Sequence, residues 1–181
     1  MKTFAATIVI ATTVFCPFSA WSETEWMGGA RQWSVGFVDE KPQPYCRLLW
    51  DSEIGKTVEF RESKTEILWL VAKSTWSIPA GTKTKISLIG RRNTEVVPAA
   101  FFDHNTLRLL PGPEKAAATQ IKMIIKQSFS GMPDLDMQFA GTEGLWTVPL
   151  SRVQELYATY DACLRRLITA DQTTDATGQP F

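Results

Sequence analysis

The chain has 181 residues, 44% of them hydrophobic, with 19 basic and 19 acidic side chains and one histidine. A formal charge of zero gives no electrostatic case for nucleic acid or for an anionic membrane surface. One histidine excludes multi-histidine metal motifs, and there is no phosphate-cradling glycine loop, no Gly-x-Ser-x-Gly elbow and no closely spaced cysteine pair for zinc.

Residues 1–22 read as an export signal. Lys2 supplies the positive start, Phe4 to Phe18 carry no charge, and Ala20 and Ser22 are the small residues expected before a cleavage site. An uncleaved membrane anchor is the alternative; the shortness of the apolar run and Pro17 speak against it. Bulky Phe15 speaks against a lipid-modified Cys16. The remaining chain has no run of 18 apolar residues, so no transmembrane span is expected in it. Export places the chain where disulfides persist, and its two remaining cysteines are Cys46 and Cys163.

The division expected is a signal at 1–22, one globular domain over 23–168 and a disordered tail at 169–181. Residues 23–32 are polar and glycine-bearing and read as an irregular lead-in. Trp33 to Phe37 alternates large apolar with small residues as a strand does, and Lys41-Pro-Gln-Pro44 breaks it. Cys46 to Trp50 is a second strand, with Cys46, Leu48 and Trp50 on one face. Thr57 to Arg61 turns Val58 and Phe60 inward. The run Ile67 to Ala72 is apolar on both faces, which predicts a central strand covered on each side.

After the turn at Pro79-Ala-Gly81, Thr84, Ile86 and Leu88 face one way and Lys83, Lys85 and Ser87 the other. Gly90 to Asn93 reads as a hairpin turn into Glu95 to Phe102, where Pro98 argues for an edge or a bulge. Asp103-His104-Asn105 is another turn, followed by a short strand from Thr106 to Leu110. Pro111-Gly-Pro113 then introduces a helix over Ala116 to Gln127, with Ala117, Ile121, Ile124 and Ile125 on one side. Leu135, Met137 and Phe139 alternate with polar residues, and Gly141 to Gly144 turns the chain into Leu145 to Val148. Ser151 with Gln154 is a capping-box pattern for a last helix, along which Val153, Leu156, Tyr157, Tyr160, Cys163, Leu164 and Leu167 recur at helical spacing.

These elements predict an α+β fold: an antiparallel β-sandwich or strongly twisted sheet of seven to nine short strands, with two packed helices, the last one C-terminal. Both cysteines fall on core-facing positions, so a Cys46–Cys163 bridge is expected to clamp the last helix to the sheet. A redox or nucleophilic pair is the functional alternative.

Four other groups invite a functional reading. Six tryptophans after residue 22 (Trp26, Trp33, Trp50, Trp69, Trp76 and Trp146) suit either a β core or a sugar-stacking surface. Lys83, Lys85, Arg91 and Arg92 form a patch for an anionic ligand or an acidic partner, or only keep a strand edge soluble. His104 beside Asp103 suggests a triad, against which neighbouring residues point apart. Asp134 and Asp136 share a face and can meet a hard cation, or form the wet side of an edge strand. Arg165 and Arg166 are accounted for by the helix dipole. No metal site and no cofactor is expected.

The order ILWLVAKSTWSIPAGTKTKISL, a helix-strand passage and then LDMQFAGTEGLWTVPLSRVQELYATYDAC resembles small exported proteins of alphaproteobacteria, the invasion-associated locus B family. The resemblance covers residues 60 to 165. It implies a β-sandwich-like periplasmic protein of a Gram-negative bacterium, non-enzymatic and linked to host association. The expectation is therefore an exported, periplasmic or secreted, non-enzymatic protein that binds an unknown protein or envelope component. The alternatives are an envelope- or glycan-binding module and a small hydrolase using His104.

Overall fold

The structure, a computed structural model, describes residues 23–90, 94–112 and 114–169. The signal segment at 1–22, Arg91 and Arg92, and the tail from 170 onward lie outside the described residues. The strands are β1 (Thr24–Ala30), β2 (Trp33–Val38), β3 (Tyr45–Asp51), β4 (Lys56–Glu62), β5 (Ile67–Lys73), β6 (Lys83–Ile89), β7 (Thr94–Phe101), β8 (Thr106–Leu109), β9 (Leu135–Phe139) and β10 (Trp146–Val148). Helix α1 (Glu114–Phe129) separates β8 from β9, and a 3-10 turn (Val153–Leu156) leads directly into α2 (Tyr157–Thr169).

All ten strands join one antiparallel sheet in the order β1-β2-β3-β4-β5-β8-β7-β6-β9-β10. The fold is α+β, as the alternation of strands and two helices implies. The sheet rolls onto itself: the Trp33 indole N–H donates to the Pro149 carbonyl at 2.6 Å, and Lys56 Nζ stands 5.0 Å from the centre of the Trp146 ring. One face of every strand from β2 to β10 feeds a single core, into which Ile121 and Ile125 of α1 and Tyr160, Cys163 and Leu167 of α2 also pack. Both helices therefore cover the concave face.

The two-residue period explains the burial. Val35 and Phe37, Cys46 and Leu48, Val58 and Phe60, and Leu135, Met137 and Phe139 are all buried, as their alternation requires. β5 is fifth of ten in the sheet, a central strand as expected. Ile67, Trp69 and Val71 enter the core, and Leu70 is buried on the other face between its cross-strand neighbours Glu59 and Arg108.

The differences have physical causes. The expected irregular lead-in contains β1, because the backbone of Thr24–Ala30 completes the open edge of β2. Gly28 in it marks a close approach instead of a loop. A Cβ on Gly28 would meet Thr159 of α2 at 3.2 Å, and one on Gly36 of β2 would lie 2.7 Å from Thr24 Cγ2 and 3.1 Å from the Trp26 ring. This strand takes the count above the seven to nine expected.

β7 is interior, not an edge; yet β8 covers only Ala99–Phe101, so Pro98 sits where that side of β7 has just run out of partner. Its carbonyl accepts from Leu110 N at 2.8 Å, and its missing N–H costs nothing to the β8 ladder. The Ser151 capping box is not formed: Arg152 occupies the cap of the 3-10 turn without a side-chain hydrogen bond, and α2 starts six residues after Ser151. Thr169, expected to open the tail, is the last residue of α2, where its hydroxyl bonds the Arg165 and Arg166 carbonyls.

Candidate functional site

Cys46 and Cys163 are joined in a disulfide with a Cα–Cα distance of 5.9 Å, across 117 positions of sequence. Neither is accessible. Cys46 reaches the core because β3 alternates, and Cys163 because α2 repeats at 3.6; the two periodicities meet at one point. The bridge is structural in its setting, and it fixes α2 over β2 and β3.

Beside it, Arg166 does more than answer the helix dipole. Its guanidinium lies 4.0 Å from the centre of the Phe37 ring and pairs with Glu25 of β1 at 2.7 Å. Arg165 instead pairs within the helix, with Asp161 at 2.9 Å.

With α2 held there, a groove opens between the helices. Two facing stripes line it: Lys122, Ile125, Lys126 and Phe129 on α1, and Tyr157, Tyr160, Asp161 and Leu164 on α2. Each follows the i, i+3 or i+4, i+7 spacing of one helix face. The volume is about 540 Å³, within the range of small-molecule sites. Phe129 meets both Tyr157 and Tyr160 at 5.5 Å between ring centres, so an aromatic wall spans the two helices.

At the floor, Glu62 from the end of β4 accepts from the Tyr160 hydroxyl at 3.1 Å and from Lys122 Nζ at 3.0 Å. Burial pushes the Tyr160 phenol well above its ordinary pKa, and the neighbouring Glu62 carboxylate raises it further. Tyr160 therefore remains a neutral donor. Tyr157, by contrast, is 60% exposed at the mouth.

A second polar cluster ties the far side of the sheet. Glu143, in the turn before β10, accepts from Lys73 Nζ at 2.8 Å, from Trp146 Nε1 at 2.9 Å and from Trp76 Nε1 at 3.2 Å. Burial raises its pKa, but these donors outweigh burial and hold the carboxyl below the ordinary glutamate range. Trp76 stacks on Trp146 at 5.6 Å and meets Phe101 and Phe139 edge-on. On the convex face, buried Glu59 is held by Arg47 at 3.0 Å and Arg61 at 2.9 Å. Both carboxylates are answered within the protein, Glu143 by three donors and Glu59 by two guanidinium groups, of which Arg61 makes two hydrogen bonds while buried Arg47 Nε, though close, makes none.

The expected sites are distributed elsewhere. Lys83 and Lys85 are exposed on β6, an interior strand, so their role as protectors of a sheet edge does not apply; Arg91 and Arg92 lie outside the described residues. His104 is exposed in its turn, where Asp103 Oδ1 accepts from the Asn105 and Thr106 amides at 2.8 Å. Burial pushes the Asp103 carboxyl up, but these amide and hydroxyl donors and neighbouring His104 bring it below its usual value. The His104 carbonyl accepts from Ile78 N, which ties the turn to the preceding loop.

Asp134 lies just outside β9, and Asp136 accepts from the Thr147 hydroxyl at 2.6 Å on a strand that is interior, not an edge. Among the described residues no group of three or more His, Cys, Asp or Glu could hold a metal. Trp33, Trp50, Trp69 and Trp146 are buried and Trp76 is half-buried; only Trp26, 53% exposed, faces out. The tryptophans build the core and not a sugar-stacking groove.

The groove and the Glu143 cluster went unread in the sequence. A cue for the groove was present: Phe129 and Tyr157 are large aromatics at the facing ends of the two helices. None existed for Glu143, whose partners Lys73 and Trp76 are 70 and 67 positions away. Among the described residues no helix is long and apolar enough to cross a membrane. Comparisons with protein-family models, curated proteins and solved structures found no match to this chain.

Proposed function

We propose that this is an exported, non-enzymatic binding protein of the periplasm or cell exterior, whose binding site is the groove between α1 and α2. The observation that carries this reading is the groove itself: open, aromatic-walled, about 540 Å³ in volume, and built on two rigid helices, one of them covalently anchored. Largely apolar concave sites with a few polar groups are the usual form of ligand sites. A long-range disulfide supports an oxidising compartment, and the apolar, lysine-started segment at 1–22 supports export. Host association rests on the resemblance to the invasion-associated locus B proteins.

The test is amide chemical-shift mapping on the oxidised protein against a small library of neutral, cationic and anionic amphiphiles. Shifts concentrated at Ile125, Phe129, Tyr157 and Leu164 are expected. If no library member perturbs these residues, or if the shifts gather at Lys83 and Lys85 instead, the groove reading is wrong.

A further inference from the structure

The groove's charges define what it would accept. Four of the side chains that line it are charged: Glu62, Lys122, Lys126 and Asp161. Glu62 is occupied by Lys122 and by the Tyr160 hydroxyl, and Asp161 by Arg165. Lys126 makes no ion pair among the described residues, although it lies on the same stripe of α1 as Lys122, one turn further on. Both carboxylates are thus neutralised by protein donors, and one cation faces the cleft without a partner.

Next to that cation the surface turns apolar. Phe129 is three residues on from Lys126, with Leu164 and the Tyr157 ring opposite. A cationic ligand would meet unpaired Lys126 and find no free carboxylate. A neutral apolar ligand would leave Lys126 unanswered. We infer that the groove binds a small apolar carboxylic acid, its carboxylate on Lys126 Nζ and its hydrocarbon or aromatic body against Phe129, Tyr157 and Leu164. The inference rests on the groove being the binding site and adds the ligand class.

The geometry also sets an orientation. Lys126 is in the last turn of α1 and Lys122 a turn earlier, so a carboxylate at Lys126 lies within reach of a second positive charge already shared with Glu62. Charge-assisted contacts of this kind are stronger than neutral ones. Lys126 is exposed, so changing it leaves the core intact.

Isothermal titration of the oxidised protein with decanoate, decanol and decylammonium separates the possibilities. Decanoate is expected to bind at least about tenfold more tightly than decanol, the scale of one charge-assisted contact, with decylammonium weakest. Lys126→Glu should remove that preference while decanol affinity stays the same. Leu164→Trp, which fills the apolar end, should weaken decanoate and decanol together. Equal binding of acid and alcohol would overturn the acid class and leave the groove reading standing. Binding of none of the three, with no groove shifts from any amphiphile in the mapping experiment, would overturn both. A dimer in sedimentation that Leu164→Trp converts to monomer would show a second copy covering the groove, and would also overturn the ligand class.

Discussion

The last helix meets the sheet through a covalent bond between Cys46 and Cys163, both inaccessible, whereas the β9–β10 turn meets β5 and the loop after it through one carboxylate, Glu143, and its three donors. Both seams join segments far apart in sequence. The first acts by restricting the unfolded chain and is indifferent to pH. The second acts only in the folded state, by satisfying buried donors, and depends on the carboxylate staying charged. The groove sits beside the covalent seam. A cleft between two helices has little packing of its own to hold its walls apart at a fixed distance, and a disulfide under one wall supplies that constraint.

If the contrast is right, the two seams should fail differently. Replacing both cysteines by alanine should cost the most, roughly 4 to 5 kcal/mol in the chain-entropy model for a loop of this size. Chemical denaturation of the double variant measures it. A loss below about 1 kcal/mol would mean that packing alone seats α2. Reduction of the wild-type protein should have the same effect and should broaden groove resonances first.

Glu143→Ala should cost roughly 2 to 3 kcal/mol, because two indole N–H groups and the Lys73 ammonium lose their acceptor. The pH signature is sharper than the magnitude. The folded-state pKa of Glu143 lies below its unfolded value, so its contribution is complete above the ordinary glutamate pKa. The contribution is lost as pH falls through the lower, folded value. Glu143→Gln should flatten that part of the acid limb of a stability–pH curve, and the cysteine double variant should keep it.

The smallest effect is expected at Arg166, whose pairing with Glu25 and stacking on Phe37 both sit near the surface. Arg166→Ala should cost about 0.5 to 1 kcal/mol. Salt should reduce the difference, through the Glu25 pair more than through the stacked ring. A loss as large as that for the cysteine pair would make α2 depend on β1 as much as on the disulfide.

Particular residues show how far the chain could be read without its fold. Spacing alone puts Cys46 on the face of Leu48 and Trp50, and Cys163 on the stripe of Tyr160 and Leu167; their meeting is a short step from there. β1 is not legible in the sequence because Gly28 and Gly29 resemble a loop locally. Gly28 is small because Thr159 packs on it, while on β2 Thr24 and the Trp26 ring leave no room for a Cβ on Gly36. Ser151 and Gln154 had the pattern of a capping box, and the chain used a 3-10 turn there, because Val153 and Leu156 are drawn into the core one turn before α2 can begin.

Sequence by itself determined what depends on the chain's own periodicity: which residues alternate into the core, which stripe of each helix is apolar, and that the two cysteines point inward. Tertiary structure alone decided the strand order that puts β8 between β5 and β7, the partners of Glu143, and the gap between α1 and α2. The physical reason is range. A two-residue or 3.6-residue repeat is written in neighbouring side chains, while an ion pair across 70 positions or a cleft between helices depends on how the whole rolled sheet fills its core.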